Sequence, residues 1–236
     1  MPDNSDEIEN RRPIAARGAP WAHWLAAQAA GAGASPDLIS ALSFAFAALG
    51  AGFLLLAGVI QAPWPRAALL IGAAAMIQLR LVSNLIDGMV AVEHRRGGTA
   101  GPIWNELPDR FSDVALLAGA GYGVAGNGIP LGVEAGWACA ALALIAAYVR
   151  ELGRGMGFAA DFSGPMAKPQ RMAALTIASL VGAMEPLWGW RGQALMIGLV
   201  VIALGAALTV VRRVRTLARR LAERARQSPG ARGGSA

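Results

Sequence analysis

LISALSFAFAALGAGFLLLAGVI, the run from Leu38 to Ile60, contains no charged side chain and has the length, about 20 residues, that a helix needs to cross a bilayer core. A helix apolar on every face belongs in lipid or in the middle of a large soluble core. With 236 residues, 55% of them hydrophobic and 15% charged, the chain has too little polar surface to enclose such a core in water. Further apolar runs follow at Ala67–Val92, Ile103–Val124, Ile129–Val149, Met172–Trp188 and Gln193–Val211. Turn signals divide them: Gln61-Ala-Pro-Trp-Pro65, Gly126-Asn-Gly-Ile-Pro130 and Glu185-Pro-Leu-Trp-Gly189. The runs lack the alternation of a barrel strand, and open sheet edges cannot be satisfied in hydrocarbon. The expected fold is all-α, an integral membrane bundle of about six transmembrane helices.

The segment Trp21-Ala-His-Trp-Leu-Ala-Ala-Gln28 is too short to span, and its tryptophans suit the headgroup region. It is expected to form an amphipathic helix lying along the interface. The domain plan is thus a tail at 1–10, an interfacial segment at 11–36, a six-helix domain at 37–212 and a basic tail at 213–236. The acidic start, without basic residues or a cleavage site, does not resemble a signal peptide. The single cysteine, Cys139, excludes an internal disulfide.

All but three of the 21 lysines and arginines lie beside the termini or the second and fourth connections; the exceptions are Arg66, Arg80 and Arg191. The positive-inside rule then places both termini and those two connections in the cytoplasm. The net charge of +6 is accounted for by topology and anionic lipid, not nucleic acid.

Ionisable groups within the second and third runs are costly unless they face a bundle interior or a watery cavity, which makes them candidates for function. Arg80, Asn84, Asp87 and Ala91 share one helix face; Asn105, Asp109 and Asp113 share another. Pro108 fits the third helix if that helix starts near Trp104, leaving the missing N–H in the first turn. Carboxylate and amide oxygens on facing helices suit Mg²⁺ or Mn²⁺ bridging to a phosphorylated ligand. Gly88, Gly97, Gly98 and Gly101 would admit a phosphate close to backbone. A plain structural alternative pairs Asp87, Asp109 and Asp113 with Arg80 or Arg110.

This region resembles the CDP-alcohol phosphotransferase family, whose signature is D-x2-D-G-x2-A-R-x8-G-x3-D-x3-D. The chain has Asn84, Asp87, Gly88, Ala91, Val92, Gly101, Asn105 and Asp109 at those positions, in register. Ser35-Pro36-Asp37, Arg150-Glu151 and Lys168-Pro-Gln-Arg171-Met172 are similar to further family segments, so the likeness runs over residues 11–212. The resemblance implies a membrane transferase of phospholipid biosynthesis that moves a phosphatidyl or other substituted phosphoryl group from a CDP-linked donor, such as CDP-diacylglycerol, to an alcohol, releasing CMP. It implies Mg²⁺ or Mn²⁺ on Asn84, Asp87, Asn105 and Asp109, with Asp109 as base and Asp113 as its possible substitute. Gly88, Ala91 and Gly101 would meet the nucleotide; Arg80, Arg95, Arg96, Lys168 and Arg171 would meet phosphate. Asn84, Val92 and Asn105 depart from the Asp, Arg and Asp of the signature; the two asparagines remove negative charge from the metal positions, and Val92 removes a phosphate contact. A member that binds lipid or nucleotide, or acts as a scaffold without catalysis, is the alternative. A transporter would need polar residues along a whole pore, which the first, fifth and sixth runs lack. A homodimer packed through Gly119, Gly121 and Gly123 is also expected.

Overall fold

The computed structural model describes residues 18–93 and 101–227, and among them all regular structure is helical. Seven helices follow in order: α1 Pro20–Gly31, α2 Pro36–Val59, α3 Pro63–Glu93, α4 Gly101–Gly126, α5 Gly132–Gly155, α6 Lys168–Met184 and α7 Gln193–Gln227. A 3₁₀ turn, Glu185–Leu187, follows α6. Among the described residues, four helices are long and apolar enough to cross a membrane: α2, α3 over Pro63–Val90, α5 and α7.

Local chemistry sets the entry to α2. Ser35 caps it, its Oγ accepting from Leu38 N–H at 3.2 Å, Pro36 opens the first turn, and Asp37 lies at the positive end of the helix dipole. Over the second half of each, helices α2 and α4 then run backbone against backbone. A Cβ on Gly123 would lie 2.3 Å from the Leu54 carbonyl oxygen, and one on Gly58 would lie 2.5 Å from that of Gly123. Gly119 meets Ala51 of α2, whereas Gly121 meets Gly132 and Gly136 of α5. The glycines expected to make a dimer face are therefore consumed inside one chain, where they let backbones touch.

The core contains Leu54, Leu70, Ile77, Leu116, Leu117, Leu175, Leu195 and Leu199. A second cluster joins α1 to α3: Ala22 and Ala26 pack with Ile39, Leu85, Met89 and Val90. The buried face of α1 is an alanine stripe, and Trp21 and Trp24 stay exposed. The helix expected there is present, but its inward face is set by small size rather than by large apolar side chains.

Two sequence expectations are corrected. Helix α4 begins at Gly101, so Pro108 lies inside it and removes one i→i−4 hydrogen bond. The last helix does not stop at residue 212: α7 continues to Gln227 because its arginines hold the segment between α5 and α6. Arg213 donates to the carbonyls of Ser163 at 2.9 Å and Ala146 at 2.7 Å, Arg220 to Ala159 at 3.2 Å, and Arg224 to Met156 at 2.7 Å. Gly164, at φ 120°, lies so close that a Cβ would be 2.4 Å from Thr209. Residues 228–236 and 1–17 lie outside the described residues.

Alternation of the helices puts polar groups at two ends of an apolar middle. At one end Glu185 accepts from Arg66 at 2.9 Å and from the N–H groups of Gly192 and Ala194 at 2.6 Å each. Arg191 bonds Asn127 at 2.9 Å and the Ile60 carbonyl at 3.1 Å. The other end holds the carboxylates.

Candidate functional site

The site is assembled from the start of α2, the end of α3, the start of α4 and the start of α6. Asp87 on α3 is buried; its Oδ2 accepts from Ser40 of α2 at 2.8 Å, and its Oδ1, also buried, has no hydrogen-bond partner. One α3 turn earlier, Asn84 donates its amide to both oxygens of Asp109, at 3.0 and 3.2 Å. Arg80, fully buried, donates to Asp109 Oδ1 at 3.2 Å, to the Asp109 carbonyl at 3.3 Å and to Asp113 Oδ1 at 2.9 Å. Ser43 of α2 donates to the Arg80 carbonyl at 3.2 Å.

Helix α6 supplies the remaining cations. Lys168 pairs with Asp109 Oδ2, and Arg171 donates to Asp113 Oδ2 at 2.7 Å and to the Met166 carbonyl at 3.1 Å. Lys168 is also within electrostatic reach of Asp87 and Asp113. A second cluster lies beside this one: Glu106 pairs with Arg110 and, at 2.7 Å, with Arg150, and Arg150 in turn pairs with Glu151 at 2.7 Å.

The two polar stripes read from sequence do face each other. Their partners differ from expectation in specific ways. Arg80 pairs with Asp109 and Asp113, not with Asp87, and Arg110 turns to Glu106. Asp113 is 1% exposed with one arginine on each oxygen, so it fastens α3 and α6 to α4. Arg80 and Arg171 are likewise paired with carboxylates. Arg95 and Arg96 lie outside the described residues, as do the side chains of Ala91, Gly101 and Asn105. Gly88 is half-buried next to Asp87. Sequence reasoning missed the role of Ser40; the available signal was a hydroxyl near the carboxylate end of an otherwise apolar run.

Among the described residues no three histidine, cysteine or carboxylate side chains form a metal-binding group. The donors present fit one hard cation. Asp87 offers an unpartnered buried oxygen, and Asn84, having spent its N–H on Asp109, has its carbonyl oxygen to give.

No protein-family model matches the chain. Over 155 residues it is 33% identical to the bifunctional IPC transferase and DIPP synthase of Rubrobacter xylanophilus; the match takes in 63% of this chain but 32% of that protein, so the chain spans about a third of its relative's length. Among solved structures it superposes on the phosphatidylinositol phosphate synthase of Mycobacterium tuberculosis. The crystal structure with CDP-DAG bound gives a TM-score of 0.70 at 21% identity, covering 92% of this chain and 100% of that one. The structure in complex with manganese and citrate gives 0.69 at 22% identity, covering 91% and 93%. The chain therefore has the fold of that synthase.

Proposed function

We propose that the chain transfers a phosphatidyl or other substituted phosphoryl group from a CDP-linked donor to an alcohol, releasing CMP. The observation that carries this reading is the placement of Asp87, with one oxygen unpartnered, beside the Asp109–Lys168 pair at one end of a bundle with this fold. The similar structure that holds CDP-DAG and the relative named for IPC transferase support a CDP-linked donor.

The chain's own residues divide the work. Asp87 and the Asn84 carbonyl would hold a Mg²⁺ or Mn²⁺ ion, which, when bound, offsets the charge of the pyrophosphate and improves CMP as a leaving group. Asp109 takes the proton of the acceptor hydroxyl as the new P–O bond forms and the bond from phosphorus to the CMP oxygen breaks. Three donor groups, through four hydrogen bonds, hold the Asp109 carboxylate in one orientation, so the acceptor must displace one of them to reach it. Lys168 is the displaceable donor: it is 18% exposed, whereas Arg80 is fully buried. The freed ammonium then meets phosphate oxygens.

The same reading takes α2 to α7 as six spans. Helix α4 crosses with its charges paired to neighbours, and α6 with its following 3₁₀ turn reaches about the needed length. The carboxylate end faces the cytoplasm with α1 along the interface, because the arginine-rich half of α7 lies at that end. There Arg212, Arg215 and Arg219 rim a groove of about 480 Å³ floored by Leu208 and Val211, a surface suited to anionic headgroups. A homodimer, if formed, uses a face other than the glycine contacts already filled within the chain.

The test is CMP release by protein in lipid supplied with CDP-diacylglycerol, Mg²⁺ or Mn²⁺ and a panel of alcohols that includes inositol phosphates. Release that requires the metal supports the transferase; Asp109→Asn should lower it by about 10²-fold or more. No release from any CDP-linked donor rejects the reading in favour of a binding or scaffold role.

A further inference from the structure

Among the described residues, the cluster linked through Asp109 and its neighbours joins three carboxylates, Asp87, Asp109 and Asp113, with three cations, Arg80, Lys168 and Arg171. The signature positions occupied by Asn84 and Asn105 add no charge. The cluster is therefore balanced before any metal arrives, whereas a buried site for two divalent ions needs surplus negative charge. Asp109, the carboxylate that would bridge toward a second ion, has its lone pairs directed at Arg80, Asn84 and Lys168. Asp87 is different: a neutral hydroxyl holds one of its oxygens, and no side chain bonds the other.

The geometry points to Lys168 standing where a second cation would otherwise be needed: the chain binds one divalent ion, at Asp87, and the Lys168 ammonium serves Asp109. An ammonium and a metal ion cannot share the same carboxylate lone pairs at contact distance without strong repulsion. Lys168 is also not a loose surface group. It opens α6 just before Pro169, and Arg171, one turn on, is fixed to Asp113 and Met166, so the lysine is delivered to Asp109 by a constrained backbone. The Asn84 amide completes the arrangement: an aspartate there would put a second negative charge against Asp109, whereas the amide donates to it. Asn84 and Lys168 thus work as a pair, each suited to the presence of the other. The inference deepens the proposed transferase site but needs only cation binding, not turnover, to be tested.

Mn²⁺ alone is titrated into the full chain in lipid nanodiscs, with free Mn²⁺ followed by electron paramagnetic resonance and heat by calorimetry. The wild type should bind one ion per chain. Asp87→Asn should lose it, and Asp109→Asn should keep it. Asn84→Asp alone should still bind one, because Lys168 remains on Asp109, and Asn84→Asp with Lys168→Met should bind two. Two ions or none in the wild type overturns the inference, as does retention in Asp87→Asn or loss in folded Asp109→Asn. Should the double variant not fold, the wild type and the Asp87→Asn and Asp109→Asn variants decide alone. CMP release with two bound ions overturns this inference and leaves the transferase standing; one bound ion without release does the reverse.

Discussion

Asp113 was legible in the sequence as a member of the Asp109 face, yet its job was not, because helical spacing gives direction and not partners. The structure places Arg80 at 2.9 Å and Arg171 at 2.7 Å on its two oxygens, all three groups nearly free of solvent. Removing the charge leaves buried Arg171 without this carboxylate and buried Arg80 with Asp109 alone. Asp113→Asn should therefore destabilise the protein by about 3–5 kcal/mol, read as a lower unfolding temperature in detergent. Ser40 is the converse case, a residue whose role the sequence hid within an apolar run. Ser40→Ala takes the one hydroxyl from Asp87 Oδ2 and should cost about 1–3 kcal/mol by the same measurement. It should also weaken Mn²⁺ binding, since Asp87 is then free to rotate. Asp87 and Asp109 themselves stood out from their spacing with Gly88 and Gly101. What spacing could not reveal was that Asn84 would turn its N–H toward Asp109, or that Lys168, far along the chain, would close on the same carboxylate.

At the scale of the helix, hydropathy found the apolar runs because lipid imposes length and composition directly. It failed at the end of α7, where the apolar run stops near Val211 but the helix goes on for about four more turns. Hydropathy has no way to register arginines that reach sideways to loop carbonyls. Arg213→Leu should release the segment from Met156 to Ala167 and make it a preferred site of limited proteolysis, with the wild type resistant under the same conditions. The α2–α4 crossing gives a second prediction. Gly123→Ala and Gly58→Ala each drive a methyl into a neighbouring backbone, at 2.3 and 2.5 Å, and each should cost about 1–3 kcal/mol in thermal unfolding. Gly52→Ala, on the same helix with nothing within 4 Å of the added carbon, should be neutral or slightly stabilising.

The molecule as a whole has a polar knot at each end. At the end away from the carboxylates, Glu185 gathers Arg66 of α3 and the first N–H groups of α7. Glu185→Gln should destabilise by about 3–5 kcal/mol, because Arg66 is 2% exposed and loses its only carboxylate. Orientation can be measured with the sequence's own economy of thiols. Cys139 is buried, so a cysteine introduced at Asp161 or at Trp188 should be the one that reacts. In sealed, right-side-out cells an impermeant maleimide should label the Trp188→Cys variant and spare Asp161→Cys; the opposite pattern inverts the proposed topology.

The glycine contacts between α2 and α4 also fix where these helices can move. Backbone meets backbone at Gly119–Ala51 and Gly123–Leu54, whereas nearer the carboxylates the two helices touch through side chains such as Phe44 and Phe111, whose rings are 6.5 Å apart. Asp109 lies about 15 Å along the helix axis from Gly119. The contact at Gly119 is thus a fulcrum with Asp109 on a long arm: a tilt of about 4° there swings the carboxylate by about 1 Å, roughly the difference between a closed ion pair and room for a ligand oxygen.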